Sequence, residues 1–182
     1  MDALFAPWRM QWVTRERADD PDGPECPFCR LPGGDDDREN NIVARSESSY
    51  VLLNNRPYNP GHVMAIPYEH TGEFQLLDEH TLLDYMQTVQ VAIQAVTDGL
   101  SPDGFNLGCN IGSAGGASIN DHLHLHVIPR WESDTSFMPL TANTAIVEEA
   151  VDETYVRLRD ALLDIDGVRT AAEAGAVEIN HS

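Results

Sequence analysis

His122, His124 and His126 alternate with Leu123, Leu125 and Val127, and Ile128 closes the run. Side chains in a strand alternate between faces, so this spacing lines three imidazoles on one face and three aliphatics on the other. An imidazole titrates near neutrality, donates or accepts at either ring nitrogen, and can act as nucleophile, proton carrier or metal ligand. Just upstream, Gly112, Gly115 and Gly116 free the backbone to bring N–H groups close to a ligand phosphate. A glycine loop feeding a histidine strand is a pattern for phosphate chemistry. A second constellation, Cys26 and Cys29 with two residues between them, has the spacing at which one tetrahedral zinc accepts two thiolates. It supplies two of the four ligands, and a reduced cysteine pair without metal is the other reading.

The elements that position these groups follow from periodicity. Short β-rich runs at 42–45 and 50–54 are expected to pair, the run at 62–67 ends on its proline, and 105–111 leads into the glycine loop before the triad strand at 122–128. Between them, Leu82, Leu83, Met86, Val89, Ile93 and Val96 recur at three- and four-residue intervals, which predicts an amphipathic helix within 72–98, with Gly99 as its stop. His80, near the start of that helix, reads as solvated. Val147, Val151, Tyr155, Leu158, Leu162 and Ile165 predict a second helix over 146–165. The apolar arm at 4–13 docks on the body or on a second subunit. The tail at 166–182 has no sustained stripe and reads as flexible, with no role for His181.

Composition narrows the class. The 182 residues carry a formal net charge of −19, and all eleven basic residues are arginines. Screening shrinks to about 3 Å in ~1 M salt, so such a surface suits a halophilic cytosol; an ordinary acidic protein is the alternative. A positive field for a nucleic-acid polymer is absent, so any nucleotide must be caught locally. No apolar run approaches the roughly 20 residues of a membrane helix, and the N-terminus lacks the pattern of a signal peptide, so a cytoplasmic protein of one domain is expected. Three cysteines, an odd number, argue against a disulfide framework, and Cys109 reads as a small buried residue.

Positions 122 to 128 meet every place of the pattern His-φ-His-φ-His-φ-φ, with φ apolar, and so resemble the histidine triad (HIT) family. The stretch from Asn54 to Pro67 resembles that family's nucleotide-binding hairpin, here 50–67, and Cys26-Pro27-Phe28-Cys29 its zinc knuckle. Ala6-Pro7-Trp8-Arg9-Met10, Pro129-Arg130-Trp131 and Phe137-Met138-Pro139 place the likeness nearest the Ap4A phosphorylase-like members. It covers most of residues 4–165, read as a single domain 1–165.

The resemblance implies an α+β, HIT-like fold with a mainly antiparallel five-stranded sheet, two principal helices and a homodimer. It implies that His124 attacks the α-phosphate of a dinucleoside polyphosphate or nucleoside phosphoramidate, forming a nucleotidyl-histidine. His126 stabilises phosphate oxygens or protonates the leaving group, and His122 flanks the nucleophile. Asn54, Asn110, Gly116, Ala117 and Ser118 take the nucleotide-contacting positions. Structural zinc is held by Cys26, Cys29, His70 and His122, and no cofactor is required for the chemistry. A non-catalytic nucleotide sensor and a zinc-stabilised interaction module remain as alternatives at this point.

Overall fold

The computed structural model describes residues 26–132, 134, 151–170 and 175–181; the arm at 4–13, the Phe137-Met138-Pro139 motif and the expected start of the second helix lie outside the described residues. Strands β1 (Ile42–Arg45), β2 (Ser49–Leu53), β3 (Val63–Pro67), β4 (Gly104–Cys109) and β5 (Leu125–Arg130) form an antiparallel sheet in the order β4-β5-β3-β2-β1. The register β2 to β3 runs from Ser49 opposite Pro67 to Leu53 opposite Val63, so the expected hairpin is continuous. Among the described residues no helix is long and apolar enough to cross a membrane.

Among the described residues the sheet has seven strands, not the expected five. The segment expected to be a flexible tail supplies β6 (Val168–Thr170) and β7 (Val177–Ile179); β7 pairs parallel to β1 and β6 antiparallel to β7. Val177 and Ile179 are buried around exposed Glu178, which is strand alternation, but three residues are too few for that period to stand out in a sequence. His181 follows β7 and reaches the buried Thr88 hydroxyl, with Nε2 3.1 Å from Oγ1.

Among the described residues three α-helices accompany the sheet: the single turn α1 (Pro27–Arg30), α2 (Glu79–Leu100) and α3 (Val151–Leu163). The long helix starts at 79 rather than 72 because the Asp78 carboxylate caps it, accepting from the backbone N–H groups of His80 and Thr81 at 2.9 and 3.1 Å. Its end passes Gly99: Ser101 takes the left-handed conformation and donates its N–H to Thr97. Gly99 serves packing instead, since a Cβ there would lie 3.3 Å from the Arg157 carbonyl oxygen of α3. As expected, the His80 side chain is exposed.

The sheet separates two cores. Val43, Val51, Leu53, Val63, Ala65, Leu123 and Val127 face α2 and α3. On the opposite face Ile42, Tyr50, Leu52, Met64 and Ile66 pack around Phe28 of α1. The aliphatics between the triad histidines belong to the helix side, so the parity of the run sends its imidazoles to the α1 side.

Candidate active site and metal centre

Strand β5 begins at Leu125, three residues later than the expected triad strand, where its ladders with β3 and β4 end opposite Ala65 and Cys109. Beyond that point the chain is held by other main-chain partners: the Leu123 N–H donates to the Thr71 carbonyl at 2.7 Å. His122 and His124 therefore sit on the approach to the strand and His126 within it. Both of the first two are buried, at 1% and 6% exposure.

Ring tautomers can be read from the hydrogen bonds. His122 Nε2 lies 2.8 Å from the Pro67 carbonyl oxygen, an acceptor only, so Nε2 carries the proton and Nδ1 keeps its lone pair. His124 Nδ1 lies 2.9 Å from the His122 carbonyl oxygen, so here Nδ1 is protonated and Nε2 holds the lone pair. Burial lowers the pKa of both imidazoles, which favours the neutral form. His124 is thus a neutral ring with a basic, unprotonated Nε2, the state a nucleophile requires.

His126 receives its tautomer through a residue that sequence reasoning did not single out. The Tyr58 backbone N–H donates to His62 Nδ1 at 3.2 Å, which leaves the His62 proton on Nε2, 2.9 Å from His126 Nδ1. His62 therefore donates, His126 Nδ1 accepts, and neutral His126 carries its own proton on Nε2. His62 is fully buried and stacked on Tyr58, with ring centroids 5.2 Å apart. The signal was its parity: His62 is two residues before Met64, and Met64 lies opposite His126 in the β3–β5 ladder.

Cys26, Cys29, His70 and His122 come together as expected, their ligand atoms all within 4.8 Å of one another. Cys26 Sγ to His122 Nδ1 is 3.4 Å, Cys29 Sγ to His122 Nδ1 3.5 Å and Cys29 Sγ to His70 Nδ1 3.1 Å. Bond lengths of about 2.3 Å to sulfur and 2.0–2.1 Å to nitrogen at tetrahedral angles put such atoms about 3.5 Å apart. The protonation state fits as well. His122 turns its lone pair to the thiols while Pro67 holds its other nitrogen, and His70 Nε2 faces the Asp121 carboxylate at 3.6 Å, which favours Nδ1 as its donor.

The remaining expected residues are placed less decisively. Asn54 Oδ1 accepts the Arg56 N–H at 2.9 Å, a turn bond, while its Nδ2 points to Met64 Sδ at 3.8 Å. Strand β4 ends at Cys109, so Asn110 begins the glycine loop rather than finishing a strand. Gly116 is left-handed at φ 80° with open space where a Cβ would be, and Ala117 and Ser118 continue the loop toward the triad. Cys109 is half-buried, and burial raises its thiol pKa. That is the inert thiol expected of it.

Comparisons with known proteins agree with this geometry. The family model described as HIT domain matches residues 36–133. The AP-4-A phosphorylase of Mycobacterium tuberculosis is 34% identical over 158 residues, covering 85% of this chain and 80% of that protein. A Zn-bound histidine triad family protein from Mycobacterium smegmatis superposes with TM-score 0.62 at 27% identity, over 78% of this chain and 96% of that one. A hypothetical histidine triad nucleotide-binding protein from Sulfolobus tokodaii gives TM-score 0.63 at 25% identity, over 78% and 95%.

Proposed function

This chain belongs to the HIT domain family, and from that premise we propose that it cleaves dinucleoside polyphosphates, with Ap4A as the representative, through a nucleotidyl group carried on His124. Nucleoside phosphoramidates fit the same chemistry. The observation that carries the reading is the 2.9 Å bond from His124 Nδ1–H to the His122 carbonyl, which leaves Nε2 as the attacking atom. In the first step that lone pair forms a P–N bond to the α-phosphorus, and the P–O bond to the departing polyphosphate breaks. His126, its proton on Nε2, donates to the leaving oxygen or to the phosphate oxygens. In the second step water or inorganic phosphate displaces the histidine, returns a proton to His126 and releases AMP or ADP. Asn54, Asn110, Gly116, Ala117 and Ser118 would bind the nucleotide, the loop N–H groups meeting charge on the phosphate.

Cys26, Cys29, His70 and His122 would hold zinc, which when bound supplies a closed, four-ligand cross-link with no position for water. His122 then orients the nucleophile through its carbonyl and does not act as an acid. A homodimer is supported by strand β4, the outer strand beside β5, where Leu107 is 52% exposed, and by exposed Leu83 and Met86 on α2. The charge of −19 without a lysine supports a salt-rich cytosol as the setting.

The test is incubation with Ap4A in high salt, with and without inorganic phosphate. ADP that appears only with phosphate marks phosphorolysis, and AMP plus ATP marks hydrolysis. Intact Ap4A under both conditions, with phosphoramidates also untouched, refutes the enzymatic reading.

A further inference from the structure

The bond to the His122 carbonyl fixes one atom of the His124 ring, yet rotation about the Cβ–Cγ axis of a histidine is broad, so one bond does not fix the ring plane. Two rings bound that plane. His126 meets His124 edge-on at 5.0 Å between centroids and 80°, and Phe28 lies against it at 5.0 Å and 48°. Phe28 also meets His122 edge-on at 5.6 Å and 82°. It is 7% exposed, and it stands between Cys26 and Cys29 on the turn α1.

The turn is anchored independently of that ring. The N–H groups of Cys29 and Arg30 both donate to the Cys26 carbonyl, at 3.0 and 3.1 Å, and the hydroxyl of fully buried Tyr50 donates to the Phe28 carbonyl at 2.8 Å. The cysteines on either side of Phe28 face His70 and His122. One short segment therefore carries two metal-ligand candidates and the apolar ring that packs on the nucleophile.

We propose that Phe28 is a positioning residue for His124: held in place by the metal-binding turn, its ring fixes the plane of the nucleophilic imidazole so that Nε2 keeps one direction. The role rests on the reading of His124 as nucleophile. It explains why the turn brings an aromatic ring, in addition to thiols, to this end of the sheet. Aromatic pairs at this separation are directional contacts beyond simple burial. A leucine at the same place would fill apolar space without presenting a flat edge.

The test uses the full-length chain loaded with Co2+, whose thiolate absorption reports the Cys26–Cys29 turn. Exchange of the His124 Nδ1 proton with water, followed by NMR, reports the ring. In Phe28→Leu the Co2+ absorption is retained, the Nδ1 proton exchanges at least several-fold faster, and kcat on Ap4A falls about tenfold with KM changed less than about twofold. Phe28→Tyr, which keeps the ring, restores the slow exchange. Chelating the metal from the wild-type chain speeds the same exchange. An unchanged exchange rate in Phe28→Leu overturns the proposal, because the ring then only packs. Loss of the Co2+ absorption in Phe28→Leu also overturns it, because Phe28 then acts only by building the turn. If the wild-type chain turns over no nucleotide, the enzymatic reading fails while the exchange experiment still decides the role of Phe28.

Discussion

His62→Phe isolates the relay that sets the proton on His126. Phenylalanine keeps a flat ring to stack on Tyr58, now 5.2 Å away, while removing both nitrogens. Two bonds go with them, the 3.2 Å bond from the Tyr58 N–H and the 2.9 Å bond to His126 Nδ1. A hydrogen bond contributes about 0.5–1.5 kcal/mol net, so loss of the half-buried Tyr58 N–H bond predicts a stability loss of that order. The same loss at His126 Nδ1, if it falls on the transition state, is a factor of about 2 to 12 in kcat. KM should move by less than about threefold, since the proposed nucleotide contacts lie on other residues. Steady-state kinetics on Ap4A and nitrogen-15 shifts of His126 measure the two effects. If kcat is unchanged, or if His126 keeps its Nε2–H tautomer in the variant, the relay does not set the acid and the reasoning fails.

Three further outcomes are expected. His124→Ala should lose turnover by at least about a thousandfold while binding AMP within a few-fold of wild type, read by calorimetry; a residual rate well above that level removes the covalent intermediate. Truncation after Asp166 should lower the melting temperature by several degrees and promote association, because it exposes the β1 edge and the partners of Val177 and Ile179; an unchanged transition would return the tail to the status of an appendage. The Asp134 carboxyl is held down to about 2, chiefly by the Arg130 side chain. A depressed acid contributes stability above its unfolded pKa near 4 and loses it as pH falls through its folded value, so Asp134→Asn should flatten the acid dependence of unfolding between about pH 4 and 2. Equal slopes in the two proteins would discount the ion pair.

How much of this was legible in the chain depended on the length of the pattern. Six alternating residues from His122 to Val127 were enough to assign imidazoles and aliphatics to opposite faces, and the helix stripe from Leu82 to Val96 was long enough to locate α2. The four ligand candidates came from likeness to a family, because spacing joins Cys26 to Cys29 but nothing local joins them to His70 or His122. The strands at 168–170 and 177–179 were missed since a three-residue element has no measurable period. His62 was missed because its meaning arises only after β3 pairs with β5, a long-range contact that places it beside His126. Asn54 shows the opposite limit: the sequence allowed both a turn and a ligand role, and the carboxamide oxygen is engaged in the turn.

The proton pattern of the three imidazoles is set from the main chain: the Pro67 carbonyl for His122, the His122 carbonyl for His124, and, through the His62 side chain, the Tyr58 N–H for His126. Replacing a neighbouring side chain leaves those peptide groups where they are. Inserting or deleting one residue between 55 and 61 shifts the Tyr58 N–H bodily, and one between 67 and 72 shifts the Thr71 carbonyl that holds Leu123 between the first two histidines. Outside His62 and Phe28, drift within this lineage should therefore tolerate many exchanges of residue type around the histidines and few changes of loop length, a bias that a library mixing both kinds of change would reveal.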